Sequence, residues 1–177
     1  SDTGWTNVDC GIIFIRSETP EGSIGYVVEK KAASSSVAWK VLLLTNKSDA
    51  SDNTWRVRLS ASDESLSRFS NIAVKRAAIA GDSAPEVLVG FRFQGTGNIL
   101  TYDIVQLRPA QALFIAASRS LDHGSANING AELDDYVPYP NADTPSYFVR
   151  SVIGYSSGAF RVSSITHAPE IGPSDFP

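Results

Sequence analysis

At 177 residues, with 42% hydrophobic and 19% charged side chains, the chain has the composition of one globular domain and not of a disordered segment. A net charge of −4 and a pI of about 5.1, with Lys30-Lys31 and Lys75-Arg76 as isolated basic pairs, exclude the basic footprint that nucleic-acid binding needs. No apolar run approaches the ~20 residues of a membrane-spanning helix.

The charged fraction falls below the usual ~25% of soluble domains, and serine, threonine, asparagine and glycine make up the difference. That mixture suits extracellular β proteins. The chain contains no methionine and begins Ser1-Asp2, which reads as a mature or trimmed chain. The expected address is therefore secreted or extracytoplasmic, at a bacterial cell surface. Cys10 is the single cysteine, so no internal disulfide can form, and it reads as a small buried apolar residue.

In chain order, residues 1–10 read as a polar lead-in and 168–177 as a loosely held Pro-rich tail, with a single β-rich domain over 11–167 between them. Gly11–Arg16 is a compact apolar run expected as a buried strand. A Pro- and Gly-bearing loop over 17–23 leads to a second strand at Ile24–Glu29. Trp39–Thr45 is strand-like, and 46–53 is a polar loop. Trp55–Ser60 alternates, predicting Trp55, Val57 and Leu59 inward and Arg56 and Arg58 outward. Ser62–Phe69 carries a helix start, a serine cap followed by two acids, and predicts a short helix. Ile72–Ile79 reads as a strand, with helix as the alternative because alanine is frequent there.

The clearest signal is a hairpin. Glu86–Phe93 is rich in β-branched and aromatic residues, with Val87, Val89, Phe91 and Phe93 on one face. Gln94–Asn98 supplies two glycines for the turn, and Ile99–Val105 returns. Ala112–Ser118, Ala126–Ile128 and Ala131–Tyr136 continue as short strands, the last two joined at Asn129-Gly130, a strong hairpin dipeptide. Val137–Pro145 holds three prolines and reads as irregular. Ser146–Gly154 and Ala159–Ile165 form a further hairpin across 155–158. Short strands with turns between them predict a mostly β domain: antiparallel sheets, sandwich- or barrel-like, built of hairpins, with one or two short helices.

Candidate chemistry is sparse. Gly154-Tyr155-Ser156-Ser157-Gly158 matches G-x-S-x-G, but the elbow motif needs a helix after it and a strand is expected here. His123 and His167 are separated, and with one cysteine they make no zinc set. Acids occur at Asp49 and Asp52, at Asp134-Asp135, and at Asp82 and Glu86, none in a D-x-[DN]-x-[DN]-G loop. Asp82 and Glu86 are the candidate metal ligands, with calcium the one cofactor they would suit. Tyr136 and Tyr139 flank Pro138 and are the candidate ligand-binding residues.

The segment Gly81-Asp82-Ser83-Ala84-Pro85-Glu86-Val87-Leu88-Val89-Gly90 resembles the G-D-G-x-P-E-(apolar)-x-(apolar)-G stretch of FG-GAP/VCBS-type repeats, found also in secreted bacterial lipoproteins and surface proteins. The likeness spans about 25 residues. It implies a β-hairpin unit in an exported protein. In calcium-binding repeats a D-x-D-x-D-G loop precedes the strand; here Ser83 replaces the usual glycine and Ala77–Ala80 occupies the upstream acid positions. The functional expectation is a non-catalytic binding or interaction domain with a protein or glycan partner at the cell envelope. The alternative is a secreted hydrolase using Ser156 or a carboxylate pair.

Overall fold

The computed structural model describes residues 4–14, 23–33, 36–46, 55–63, 69–81, 86–93, 98–108, 112–139 and 147–176. Twelve strands occur among them and no helix. They form three four-stranded antiparallel sheets. Sheet A comprises β1 (Thr6–Phe14), β2 (Ser23–Ala33), β3 (Ser36–Asn46) and β4 (Trp55–Asp63). Sheet B comprises β5 (Phe69–Ala77), β6 (Glu86–Phe93), β7 (Leu100–Arg108) and β8 (Ala112–Leu121). Sheet C comprises β9 (Ser125–Asn129), β10 (Glu132–Pro138), β11 (Phe148–Ser156) and β12 (Ala159–Ala168). In each sheet the spatial order follows the sequence order, so neighbours in the chain are neighbours in the sheet.

The expectation of a mostly β, antiparallel protein holds. The short helix expected at Ser62–Phe69 does not: Ser62 and Asp63 finish β4 and Phe69 opens β5, while 64–68 lie outside the described residues. Ser62 pairs with Lys40 across the ladder, so its backbone is committed to a strand. Ile72 and its neighbours belong to β5, the strand reading of that segment. Of the loops expected at 17–23, 46–53, 94–98 and 137–145, residues 17–22, 47–53, 94–97 and 140–145 lie outside the described residues.

The chain divides into two compact units, 1–69 with 107–114, and 70–106 with 115–177. In the first, β2 pairs with β3 from Ser23↔Asn46 to Ala33↔Ser36, and β1 adds to β2 with a bulge at each end. One face of sheet A buries Ile24, Val28, Val41 and Leu43. The other carries Cys10, Ile12, Val27, Leu44 and Val57, by the period of two along each strand and the pairs across them. The sense expected for β4 is thus reversed at Trp55 and Val57, and a bulge interrupts the alternation beyond them, since Val57 pairs with Leu44 but Leu59 pairs with Leu43. Trp55 and Val57 are 37% and 51% exposed. A period identifies residues that share a face; it does not identify the buried face.

In the second unit, sheets B and C contribute to one core cluster that includes Leu88, Leu100, Ile104, Leu133 and Ile153. The central hairpin forms as expected, from Glu86↔Gln106 to Arg92↔Leu100. Its core-cluster face is that of Leu88 and Gly90, not that of Val89 and Phe91; Val87 and Val89 are buried as well, so Glu86–Gly90 is covered on both sides. Two tight turns follow their sequence signals. Gly130, at φ 61°, opens a two-residue loop between Asn129 and Glu132, the pattern of a type II′ turn. Ser157 and Gly158, at φ 52° and 79°, give the pattern of a type I′ turn between Ser156 and Ala159. Pro138 lies within β10, which extends through the start of the stretch read as irregular.

Residues 172–176 are bound firmly to the second unit. Asp175 N–H donates to the Ala126 carbonyl at 2.9 Å, and Ile128 N–H donates to Asp175 Oδ2 at 2.7 Å. Both bonds lie along β9, the edge of sheet C, which this segment covers. Phe176 is 1% exposed and stacks on Tyr102, with ring centroids 5.7 Å apart and planes 3° off parallel. The space for its ring exists because position 90 is glycine; a Cβ there would collide with it. We expect Phe176→Ala to cost about 3–5 kcal/mol by loss of buried surface and the cavity left behind. Gly90→Val should produce a comparable loss from the other side of the same contact. Chemical denaturation of both variants measures this, and losses under about 1 kcal/mol would contradict the packing described.

Candidate functional site

The outward face of sheet A forms a shallow cleft of about 440 Å³, lined by Cys10, Gly11, Ile12, Gly25, Tyr26, Val27, Leu44 and Trp55. Its walls are almost wholly apolar. Gly25 makes the depression, since it places no side chain on the outward face between Ile12 and Leu44, its neighbours across the ladder. A Cβ at Gly25 would come within 3.1 Å of the Trp55 ring and the Gly11 carbonyl, so the indole lies against bare backbone. Ile12 stands at the rim, 62% exposed. The apolar strip ends where Lys40 pairs with Glu29 at 2.6 Å and lies 4.3 Å from the Trp5 ring centroid.

Cys10 is exposed and belongs to this cleft, which corrects the reading of it as a buried residue. The physical reason is register: Cys10 pairs with Val27, and both sit on the outward face. Sequence inspection missed the cleft because its residues come from four strands. The available signal was a glycine inside an apolar strand pattern, at Gly25.

The sequence-predicted tyrosines separate. Tyr136 lies in β10, partly buried, with the Gly172 backbone close over its ring. Tyr139 is 43% exposed and its ring centroid is 4.6 Å from that of Tyr147, whose own ring meets His167 edge-on at 4.9 Å. Burial and the hydrogen bond with Tyr139 push the Tyr147 hydroxyl above its ordinary range. Tyr139, Tyr147 and His167 thus form a small aromatic group to which Tyr136 contributes nothing shown.

The candidate metal ligands also separate. Asp82 lies outside the described residues, as do Asp49 and Asp52. Glu86 is fully buried. Its Oε2 accepts from Ile79 N–H at 2.8 Å, and its Oε1 accepts from Gln106 Nε2 at 3.1 Å. Ala80 N–H reaches both oxygens at 3.3 Å. The carboxyl therefore ties the turn after β5 to β7, with lone pairs directed at protons. Burial pushes its pKa up, against the pull of these donors. Among the described residues no three His, Cys, Asp or Glu side chains converge in a metal-binding group.

Asp134 and Asp135 are each committed to arginine. Arg150 Nη2 donates to both oxygens of Asp134 at 2.9 Å. Asp135 accepts from Arg119 Nε at 3.0 Å and from the buried Tyr102 hydroxyl at 2.7 Å. Burial, then the Asp135 charge, drives the Tyr102 hydroxyl far above its ordinary range, so it stays protonated and donates. Ser156 ends β11 and a strand follows the turn, so the G-x-S-x-G run builds a hairpin where an elbow would need a helix. His123 is exposed at φ 49° in the turn after β8, with Nδ1 2.9 Å from Asp122 Oδ1.

Compared with family models, curated proteins and solved structures, the chain matches none.

Two predictions follow from this geometry. Native protein should react with a thiol reagent such as DTNB at one thiol per chain without denaturant, because Cys10 is exposed; a thiol that reacts only after unfolding contradicts its placement. Because Glu86 has a raised folded-state pKa, its favourable contribution is complete below the ordinary 4.5 and is lost as pH rises through the folded value. The stability of wild type relative to Glu86→Gln should therefore fall as pH rises from about 4. A pH-independent difference between the two denaturation profiles refutes the assignment.

Proposed function

We propose that this protein is a non-catalytic binding domain, exported and acting at the cell surface, whose binding face is the outward side of sheet A. The observation that carries the reading is an exposed apolar cleft bearing Ile12, Leu44 and Trp55 on a sheet whose opposite face is already buried. Exposed apolar surface is costly in water and marks interaction sites when it is contiguous. Covering one such side chain supplies about 1.5–3 kcal/mol. The partner this face suits offers apolar side chains, as a protein at the envelope does. The weakly charged composition and the hairpin's resemblance to surface-protein repeats support the address. The Arg partners of Asp134 and Asp135 and the turn geometry after Ser156 favour binding over hydrolysis.

A second reading rests on Tyr139. Its exposed ring, braced by Tyr147, is suited to stacking on a sugar face. The two readings place the ligand on different units and separate by mutation.

The test uses the fluorescent apolar probe anilinonaphthalene sulfonate on the native chain. We expect saturable binding that weakens about tenfold in both Ile12→Asp and Ile12→Lys, since each puts a charge in the cleft. The probe is anionic, so tighter binding to the lysine variant would mean charge attraction and would sink the cleft reading. Tyr139→Ala should leave probe binding unchanged. A glycan panel that shifts the melting midpoint of wild type but not of Tyr139→Ala would favour the second reading.

A further inference from the structure

The segment 172–176 is held in a way that resembles a bound peptide more than a continuation of the sheet. Its contacts are concentrated in five residues. Ser125 Oγ donates to the Gly172 carbonyl at 3.0 Å. Asp175 pairs with the β9 edge through its own N–H and through its carboxylate, which reads the Ile128 N–H. Phe176 fills the notch at Gly90 and stacks on Tyr102. Arg92 Nη2 donates to the Phe176 carbonyl at 3.2 Å and to the Gly124 carbonyl at 3.4 Å, bridging the segment to the turn before β9. Main-chain pairing at a sheet edge, an aromatic anchor in a pocket and a carboxylate on a backbone N–H are the parts of a strand-addition peptide site. By contrast, residues 169–171, which join the segment to β12, are exposed. Ile171 is 42% exposed although it is apolar.

We propose that the groove between β6 and β9 is a recognition site for an extended peptide bearing Asp-Phe, filled in cis by residues 172–176 and able to take the same segment from a second copy of this chain. The two sources present the same groups to the site, because the hydrogen bonds and ring contact described are made to residues 172–176, while the linker at 169–171 is exposed. In cis the linker provides an effective concentration of about millimolar order, which keeps the dilute protein closed on itself. At high protein concentration, or where many copies are tethered side by side, exchange links them without any new contact. This inference concerns the second unit and is independent of the cleft on sheet A.

The experiment uses the full chain carrying Phe176→Ala, which keeps the groove and empties its anchor pocket. The probe is a fluorescein-labelled peptide of residues 170–177. Saturable anisotropy is expected for the variant, with binding at least tenfold weaker for peptides in which Phe176 or Asp175 is alanine, and at least tenfold weaker to the wild-type chain, whose own segment competes. A folded variant that binds all three peptides alike overturns the proposal. Should Phe176→Ala fail to fold, the wild-type chain decides: held a few degrees below its melting midpoint at rising concentration, it should form dimers in sedimentation that excess peptide suppresses. Absence of dimers there, or dimers indifferent to the peptide, overturns the proposal equally.

Discussion

A β-sheet has two faces, and its side chains alternate between them except at bulges. Sheet A satisfies that constraint on one side only. Ile24, Val28, Val41 and Leu43 face inward, and the residues between them must face the other way. Had those intervening positions been lysine, glutamate or threonine, sheet A would be an ordinary solvated sheet. They are Val27, Leu42 and Leu44, joined by Cys10 and Ile12 from β1 and by Val57 and Trp55 from β4. The outward apolar surface is therefore a direct consequence of near-continuous hydrophobic strands placed in a sheet with one covered face. Glycine at position 25 then turns a flat surface into a depression with an indole at its side.

The second unit handles the same constraint differently. Its two sheets contribute to a common core, and the polar groups caught inside are matched in pairs. Tyr102 is the clearest case: its ring stacks on Phe176 while its hydroxyl donates to Asp135, which Arg119 also holds. One side chain thus joins an aromatic contact to a charged network, and neither Asp135 nor the hydroxyl is left unpaired in a medium where that would cost several kcal/mol. The exposed edge of β9 is covered by residues of the chain itself, with Asp175 taking the place of a neighbouring strand.

Local chemistry was legible in the sequence wherever it determines local geometry. Asn129-Gly130 and Ser157-Gly158 marked turns that the backbone forms with left-handed φ values, and the β-branched run at Glu86–Phe93 marked the central strand. Sidedness was not legible. Trp55 and Val57 were read as inward and Cys10 as buried, and all three are exposed, because alternation is symmetric and only tertiary packing breaks the tie. The serine cap before Asp63 carried a helix signal that ladder pairing to β3 overrode. Composition misled at the Pro-rich segment, where three prolines suggested looseness while one phenylalanine, opposite one strand glycine, provides the anchor. Of the candidate sites, Tyr139 lies exposed in an aromatic group and Glu86 is taken up by backbone and side-chain donors; the cleft, assembled from β1, β2, β3 and β4, had no contiguous signature to find.

The central claim is that the outward face of sheet A stands open to solvent and apolar at once. Methyl-labelled NMR with a soluble nitroxide tests it most directly. The account predicts strong attenuation of the Ile12 and Val57 methyl signals, with those of Ile24 and Leu43 nearly untouched. Ile12 and Val57 as well protected as Ile24 would contradict it, and would mean that this face is covered by part of the same chain.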